Sequence, residues 1–340
     1  MNILIIGGTR NLGHFMVENL LSRGHQVTIL NRGITRDELP ESVERLRADR
    51  TEPAQLERAL KGRTFDAVID NALYKKAEAE TAVRLLKGRT GQYIVLSSGQ
   101  VYLVREGIER PFNEGQYEGR VMPPPKLNTY GYEEWLYGMD KRHVEDVLSE
   151  AHAREGFPST ILRLPMVSSE RDHFHRLYAY ILRLGDGGPI VAPSTPNYRL
   201  RHIYAGDVVR AVTRITEGKL AQGKAYNISQ DETSTLDEYL EVLGGLMGTK
   251  PVLVRVKRDL LEANGFLPDC SPFSERWMSE LDNTLSKQEL GIVYTPLPVY
   301  LEKIVAHYQK NPPPPPAGYR RRRAELALYQ QIQEGLVSAK

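Results

Sequence analysis

The stretch that most constrains this chain lies at its beginning. Ile3 to Ile6 is a short, fully apolar run, and Gly7-Gly8-Thr9-Arg10-Asn11-Leu12-Gly13 follows it directly. A helical pattern then begins, with Met16, Val17, Leu20 and Leu21 on one face until Gly24 stops it. Strand, glycine turn and helix in immediate succession ask for a glycine where the chain bends sharply and another where helix and strand pack closely. Gly7 and Gly13 fit these two roles. The helix that starts at this turn directs free backbone N–H groups and the positive end of its dipole at whatever rests there, which suits a pyrophosphate.

The pattern repeats along the first half of the chain. Val27 to Leu30, Arg45 to Ala48, Ala67 to Ile69, Tyr93 to Leu96 and Thr160 to Leu164 read as further strands, separated by helix-length segments, the last helix running from about Glu133 to His152. Continuous apolar runs alternating with helices predict a parallel sheet covered on both faces. The expected fold is therefore α/β, a Rossmann-type doubly wound parallel sheet over residues 1–165 with a smaller mixed α/β lobe for substrate over 166–310, within which the chain is free to return to the sheet. Residues 311–340 are set apart by five prolines, Pro312 to Pro316, and four arginines, Arg320 to Arg323, leading into a short helical pattern. This reads as a stiff spacer leaving the body and a basic helix free to dock again, used for packing or oligomer contacts rather than for ligand binding.

Composition sets the outer bounds. With 41% hydrophobic and 26% charged residues the 340-residue chain is that of a globular protein, and a formal charge of +2 provides no global field to gather nucleic acid or anionic membrane. One cysteine, Cys270, excludes an intrachain disulfide and fits a reducing compartment. The apolar strand begins at Asn2 with no basic leader before it, and no run of about 20 apolar residues follows. A cytoplasmic protein is expected, with a small-molecule substrate, no membrane and no nucleic-acid partner; a homodimer is left open.

Two further places carry chemistry. After the second strand comes Asn31-Arg32-Gly33, with no carboxylate where a site for NAD keeps one for the ribose 2′-hydroxyl. A guanidinium there, with Arg10 and Arg36 nearby, suits the 2′-phosphate of NADP, so NADP (NADPH) is the expected cofactor. The second place pairs Ser97-Ser98 at the end of the fifth strand with Tyr137 and Lys141 on the following helix. Tyrosine and lysine four residues apart share one helix face, so the ammonium is expected to lower the phenol pKa and reach the cofactor ribose. A serine at a strand end can hold the substrate oxygen. The three make an acid/base device for a carbinol or carbonyl while hydride passes to or from nicotinamide.

Taken in order, Gly7 to Gly13, Asp49, Asp70-Asn71-Ala72, Ser97 to Tyr102, Tyr137 to Glu145, Ile161-Leu162-Arg163, Asp207-Val208-Val209, Tyr226-Asn227-Ile228 and Asp282 to Gly291 resemble the NAD-dependent epimerase/dehydratase family of extended and atypical short-chain dehydrogenase/reductases, to about Tyr308. The resemblance implies Ser98, Tyr137 and Lys141 as catalytic. It implies cofactor contacts from Gly7, Thr9, Arg10, Asn11, Leu12, Gly13, Asn31, Arg32, Asp49, Asn71, Ala72, Tyr137 and Lys141, with Asp49 at the adenine and Ala72 on the nicotinamide side. The Gly-Gly-Thr-Arg turn with Asn-Arg-Gly looks more like an atypical branch that includes chloroplast stem-loop RNA-binding proteins than like sugar epimerases. The expected reaction is oxidoreduction, epimerisation or dehydration of a nucleotide-sugar-like substrate, with Arg199 and Arg201, and Arg163 if it is not buried, as phosphate partners. The alternatives are reduction of a non-sugar ketone by NADPH, or nucleic-acid binding without turnover. His173 and His175 alternate, but no third ligand is apparent and no metal is expected. Asp207 is read as the N-cap of an apolar helix rather than as a catalytic carboxylate.

Overall fold

A computed structural model describes residues 1–337. The chain forms two compact units. The first comprises residues 1–167, 203–229 and 281–294, and the second residues 168–202, 230–280 and the remainder from 295.

The first unit is built on a seven-stranded sheet. In chain order it contains β1 (Asn2–Ile6), α1 (Asn11–Ser22), β2 (Gln26–Asn31), β3 (Glu44–Arg47), α2 (Pro53–Leu60), β4 (Ala67–Asp70), α3 (Lys76–Leu86), β5 (Tyr93–Ser98), α4 (Gln100–Leu103), α5 (Tyr130–Glu155) and β6 (Ser159–Leu164). The chain then returns with the helix Ala205–Gly218 and the strand Ala225–Asn227. Across the sheet the order is Ala225–Asn227, β6, β5, β4, β1, β2, β3. Every pair is parallel, with Ile5 of β1 opposite Ile29 and Ile69, and Leu96 of β5 opposite Leu162. Side chains alternate across a strand, so β1 feeds two cores at once. Ile3 and Ile5 join Val17 and Leu20 of α1 and Val208 and Val212 of the returning helix. Leu4 and Ile6 join Leu56, Leu86, Val144 and Leu148 of α2, α3 and α5. Each fully buried aliphatic side chain contributes about 1.5–3 kcal/mol, so both faces must be covered for β1 to hold its place.

Within the lobe read over 166–310 the chain returns to the sheet, as the sequence left open: residues 203–229 and 281–294 belong to the sheet-bearing unit. Two other expectations are corrected. The helix carrying Tyr137 runs longer than Glu133 to His152, because Thr129 caps its start by accepting from the Tyr132 N–H at 3.2 Å and Gly156, at φ 67°, ends it. Asp207 is not an N-cap: Tyr204 occupies that position, and Asp207 lies fully buried inside the first turn, bonded to Arg210.

The second unit holds the helices Arg176–Gly185, Leu236–Met247 and Leu297–Lys310 and a two-stranded parallel sheet of Ile190–Pro193 with Leu253–Val256. The basic segment is not a free arm. Its helix, Arg322–Gln333, buries Glu325 against Arg183, and Arg322 donates to Asp186 at 2.7 Å and 2.8 Å. Leu328 of the same helix packs with Val191, Val256, Leu261 and Phe266. Arg322 is thus 5% exposed and serves as an anchor rather than as a solvated charge. The proline run is tied in as well, through a bond of 3.2 Å from the Tyr178 hydroxyl to the Pro313 carbonyl. Among the described residues no helix is long and apolar enough to cross a membrane.

Candidate active site

The turn after β1 closes as its residues dictate. Gly7 takes φ +86° and donates its N–H to the Leu30 carbonyl at 3.1 Å. Gly13 has no room for a side chain, since a Cβ there would lie 2.2 Å from the Gly7 carbonyl oxygen. Arg10, where a middle glycine was looked for, is tolerated because its backbone is extended at φ −128°, a conformation open to any residue. Its side chain lies outside and donates to Thr35 Oγ1 at 2.8 Å. No side chain caps the start of α1, and the Asn11 Oδ1 atom is buried without a partner. The Gly13 and His14 N–H groups donate to the Arg10 carbonyl at 3.0 Å and 3.4 Å, which leaves those of Asn11 and Leu12 for a ligand, and the glycine cradle fits a dinucleotide pyrophosphate.

Beside this turn runs a cleft of about 390 Å³. Gly7, Thr9, Arg10, Asn31, Arg32, Asp49 and Ala72 line it, whereas Asn11 and Gly13 shape the turn without lining the cleft. The Asn31 side-chain oxygen accepts from the Gly33 N–H at 2.8 Å and from Arg47, which fixes the loop after β2. Arg32 is exposed and 3.8 Å from Asp49. The Asp49 carboxylate also accepts from the Thr51 N–H at 3.0 Å and hydroxyl at 2.8 Å, bonds that hold its pKa below the usual carboxylate range. Arg50 also lines this cleft and was missed by sequence reasoning. It bonds Asp70 at 2.6 Å, and Asp70 also accepts from the Tyr93 hydroxyl at 2.5 Å. Burial weakens the hold of Arg50 on its proton, yet the Asp70 and Glu78 charges outweigh this and keep the guanidinium firmly charged. Only its place after Asp49 distinguished it in sequence, and that gave no signal.

A smaller pocket of about 160 Å³ brings together Ser98, Tyr137 and Lys141, with Leu12 and Asn71 in its wall. The end of β5 supplies Ser98 and one face of α5 supplies the other two. Gly138 makes this possible: a Cβ there would lie 2.7 Å from Val104 and 2.9 Å from the Gln100 carbonyl, so only glycine lets α5 approach α4 closely. The Ser98 hydroxyl accepts from the Gln100 N–H at 3.2 Å and faces the same pocket as the Tyr137 hydroxyl. Ser97 points the other way and bonds the buried Glu145.

The lysine is not arranged as the sequence led one to expect. Its Nζ donates to the Leu73 carbonyl at 2.7 Å and to the Leu96 carbonyl at 3.0 Å, and lies 6.0 Å from the Tyr137 ring centroid. Around a buried side chain, two fixed carbonyl acceptors hold an ammonium better than a neutral phenol does. The Tyr137 phenol is accordingly not lowered. Desolvation pushes it up, Tyr74 adds to this, and the neighbouring Ser98 hydroxyl opposes it. Lys141 is 3% exposed, and desolvation lowers its pKa to about 8 against the pull of Asp70 and Glu145.

The cationic partners sought for a substrate phosphate are engaged elsewhere. Arg163 is buried and bonded to Glu145 at 2.6 Å and to the Tyr102 hydroxyl at 2.6 Å, bracing β6 against α5. Arg199 and Arg201 lie in the second unit. Arg199 donates to the Thr233 carbonyl at 3.3 Å, and Arg201, 9% exposed, donates to the Gln230 carbonyl at 2.8 Å. His173 packs on Phe174 and His175 takes φ 52° at the start of a helix, so they do not alternate along a strand. Among the described residues no group of three or more His, Cys, Asp or Glu could hold a metal ion.

Comparison with known proteins finds that the NAD dependent epimerase/dehydratase family matches residues 3–229. Among characterised proteins, 2′-dehydrokanamycin reductase of Streptomyces kanamyceticus is 25% identical over 311 residues, covering 89% of this chain and 81% of that protein. Chloroplast stem-loop binding protein of 41 kDa b of Arabidopsis thaliana is 33% identical over 253 residues, covering 69% of this chain and 60% of that protein. Of solved structures, UDP-glucose 4-epimerase from Thermotoga maritima superposes with a TM-score of 0.70 at 18% identity, covering 91% of this chain and 99% of that one. At that identity the likeness speaks for the fold alone.

Proposed function

The chain belongs to the NAD dependent epimerase/dehydratase family, and from that premise we propose that it is an oxidoreductase of the short-chain dehydrogenase/reductase type, acting at a carbinol or carbonyl of a polar small molecule. One observation carries this reading: Ser98, Tyr137 and Lys141 line a single pocket that shares Tyr74 with the dinucleotide cleft. A nicotinamide dinucleotide, when bound, supplies the hydride acceptor or donor. Ser98 holds the substrate oxygen, and Tyr137 gives or takes the proton at that oxygen. Its raised pKa keeps the phenol protonated near neutral pH, which suits the direction in which a carbonyl is reduced. Lys141, charged below about pH 8, places a positive charge beside the ribose side of the cleft.

NADP is the preferred cofactor. Arg32 is 63% exposed at the cleft, and Arg10 borders the same loop, so the 2′-phosphate would meet guanidinium groups. A cytoplasmic setting fits the single buried thiol, Cys270.

For the substrate, the occupied state of Arg163 and Arg201 favours a molecule without a nucleotide diphosphate, as in the reductase relative, over the nucleotide sugar expected first. Incubation with NADPH and, separately, 2′-dehydrokanamycin, simple ketones and UDP-glucose tests this by loss of reduced-nicotinamide absorbance and by thermal shift. NADPH consumption on a ketone without stabilisation by UDP-glucose is the expected result. Stabilisation by UDP-glucose that Arg199→Ala removes would restore the nucleotide sugar. Retention of a stem-loop RNA with no response to any cofactor would replace the enzyme by a nucleic-acid binder.

A further inference from the structure

Tyr74 stands where the two cavities meet, lining both the dinucleotide cleft and the Ser98–Tyr137–Lys141 pocket. It lies between β4 and α3, and its backbone is held there because its N–H donates to Glu78 Oε2 at 3.0 Å. The same carboxylate oxygen takes the Arg50 guanidinium at 3.2 Å. The Tyr74 side chain is 47% exposed, so packing alone does not account for it. Its ring centroid is 4.7 Å from Lys141 Nζ and 6.5 Å from the Tyr137 ring, which puts the ammonium closer to Tyr74 than to the tyrosine one helical turn away from it. An ammonium at this distance is held by the ring quadrupole.

We propose that Tyr74 is the positioning residue for Lys141: its aromatic face clamps the ammonium against the Leu73 and Leu96 carbonyls. This rests on the assignment of Lys141 and Tyr137 as the proton-handling pair. The groups that face Lys141 are Asp70 at the end of β4, Arg50 after β3, Glu78 on α3, and Glu145 and Tyr137 on α5. Asp70, Glu145 and Glu78 favour its charged form, Arg50 opposes it, and burial outweighs them all. Replacing the ring by an aliphatic side chain removes an attraction made only to the charged form and leaves the other charges in place, so the lysine becomes harder to protonate. The hydroxyl of Tyr74 has no part in this.

The test is the titration midpoint of Lys141, read by NMR of protein labelled with ε-13C-lysine, the resonance being assigned by its loss in Lys141→Arg. In Tyr74→Leu the midpoint is expected to fall by about half a pH unit or more, whereas Tyr74→Phe, which keeps the ring, stays within about 0.3 of the wild type. A midpoint that is unmoved or raised in Tyr74→Leu overturns the proposal, as does a Tyr74→Phe protein that shifts as far as Tyr74→Leu. Should Tyr74→Leu fail to fold, judged by thermal melting, Tyr74→Met reads the same loss of the ring. Nicotinamide fluorescence on the same samples keeps the two assignments apart: wild-type protein that binds neither NADPH nor NADH would undo the proposed function without altering what the lysine titration says about Tyr74.

Discussion

Two cations of this protein are given cofactor roles and live under opposite conditions. Arg32, at the mouth of the dinucleotide cleft, is 63% exposed and keeps 3.8 Å from Asp49. Lys141, in the adjoining pocket, is 3% exposed and bonded to two carbonyls. In water the ordinary strength of a charge pair is small and screened, whereas inside the protein the cost of desolvation changes the chemistry of the group itself. The mouth of the cleft can therefore select among ligands gently and tolerate substitution. The pocket cannot, because every charge in it is set against burial.

The largest effect that would sharpen this contrast lies at Tyr137. Tyr137→Phe is expected to lower turnover by about 10²–10⁴-fold while melting temperature and NADPH affinity stay near those of the wild type. Steady-state kinetics on the first substrate found, alongside a fluorescence titration of cofactor, checks this. Rates near wild type would make the tyrosine a packing residue and dissolve the difference between the two regions.

A smaller effect concerns pH. Lys141 has a folded pKa of about 8 against an ordinary value of 10.5, so between these limits the unfolded chain binds more protons than the native one. Stability must then rise with pH across this window, the reverse of what a lysine with a strong acidic partner gives. Relative to Lys141→Met, the wild-type free energy of unfolding is expected to gain about 1.5 kcal/mol between pH 8 and pH 9.5, measured by urea denaturation without cofactor. A flat difference would show that the lysine is not penalised by burial.

The smallest effect belongs to the mouth. Arg32→Ala should weaken NADPH binding by roughly five- to tenfold and leave NADH within about twofold, because an exposed charge-assisted contact is worth about 1 kcal/mol. Equal loss for both cofactors would mean that Arg32 reads something other than the 2′-phosphate.

The glycine turn was legible because backbone geometry is written in residue identity: Gly13 leaves no room for a Cβ, and Gly7 needs a positive φ. The parallel sheet followed from the alternation of apolar runs and helices, and the grouping of Ser98, Tyr137 and Lys141 was recoverable because strand ends and helix faces have fixed periods. Arg50, Tyr74 and Gly138 were not, since each acts through a neighbour far away in sequence: Asp70, Lys141 and Val104. The same distance in sequence concealed the fate of Arg163, whose partner Glu145 lies on another element. It also concealed the buried pair of Arg183 and Glu325, which turns a basic tail into a docked helix.

By itself, then, the sequence determined the sheet, the glycine turn after its first strand and the grouping of Ser98, Tyr137 and Lys141, because all of these depend on local conformation and short periods. Only the tertiary structure decided which charges are free to meet a ligand and which are locked into the protein. Electrostatic interaction depends on separation in space and on exclusion of water, and neither is a property of position along the chain.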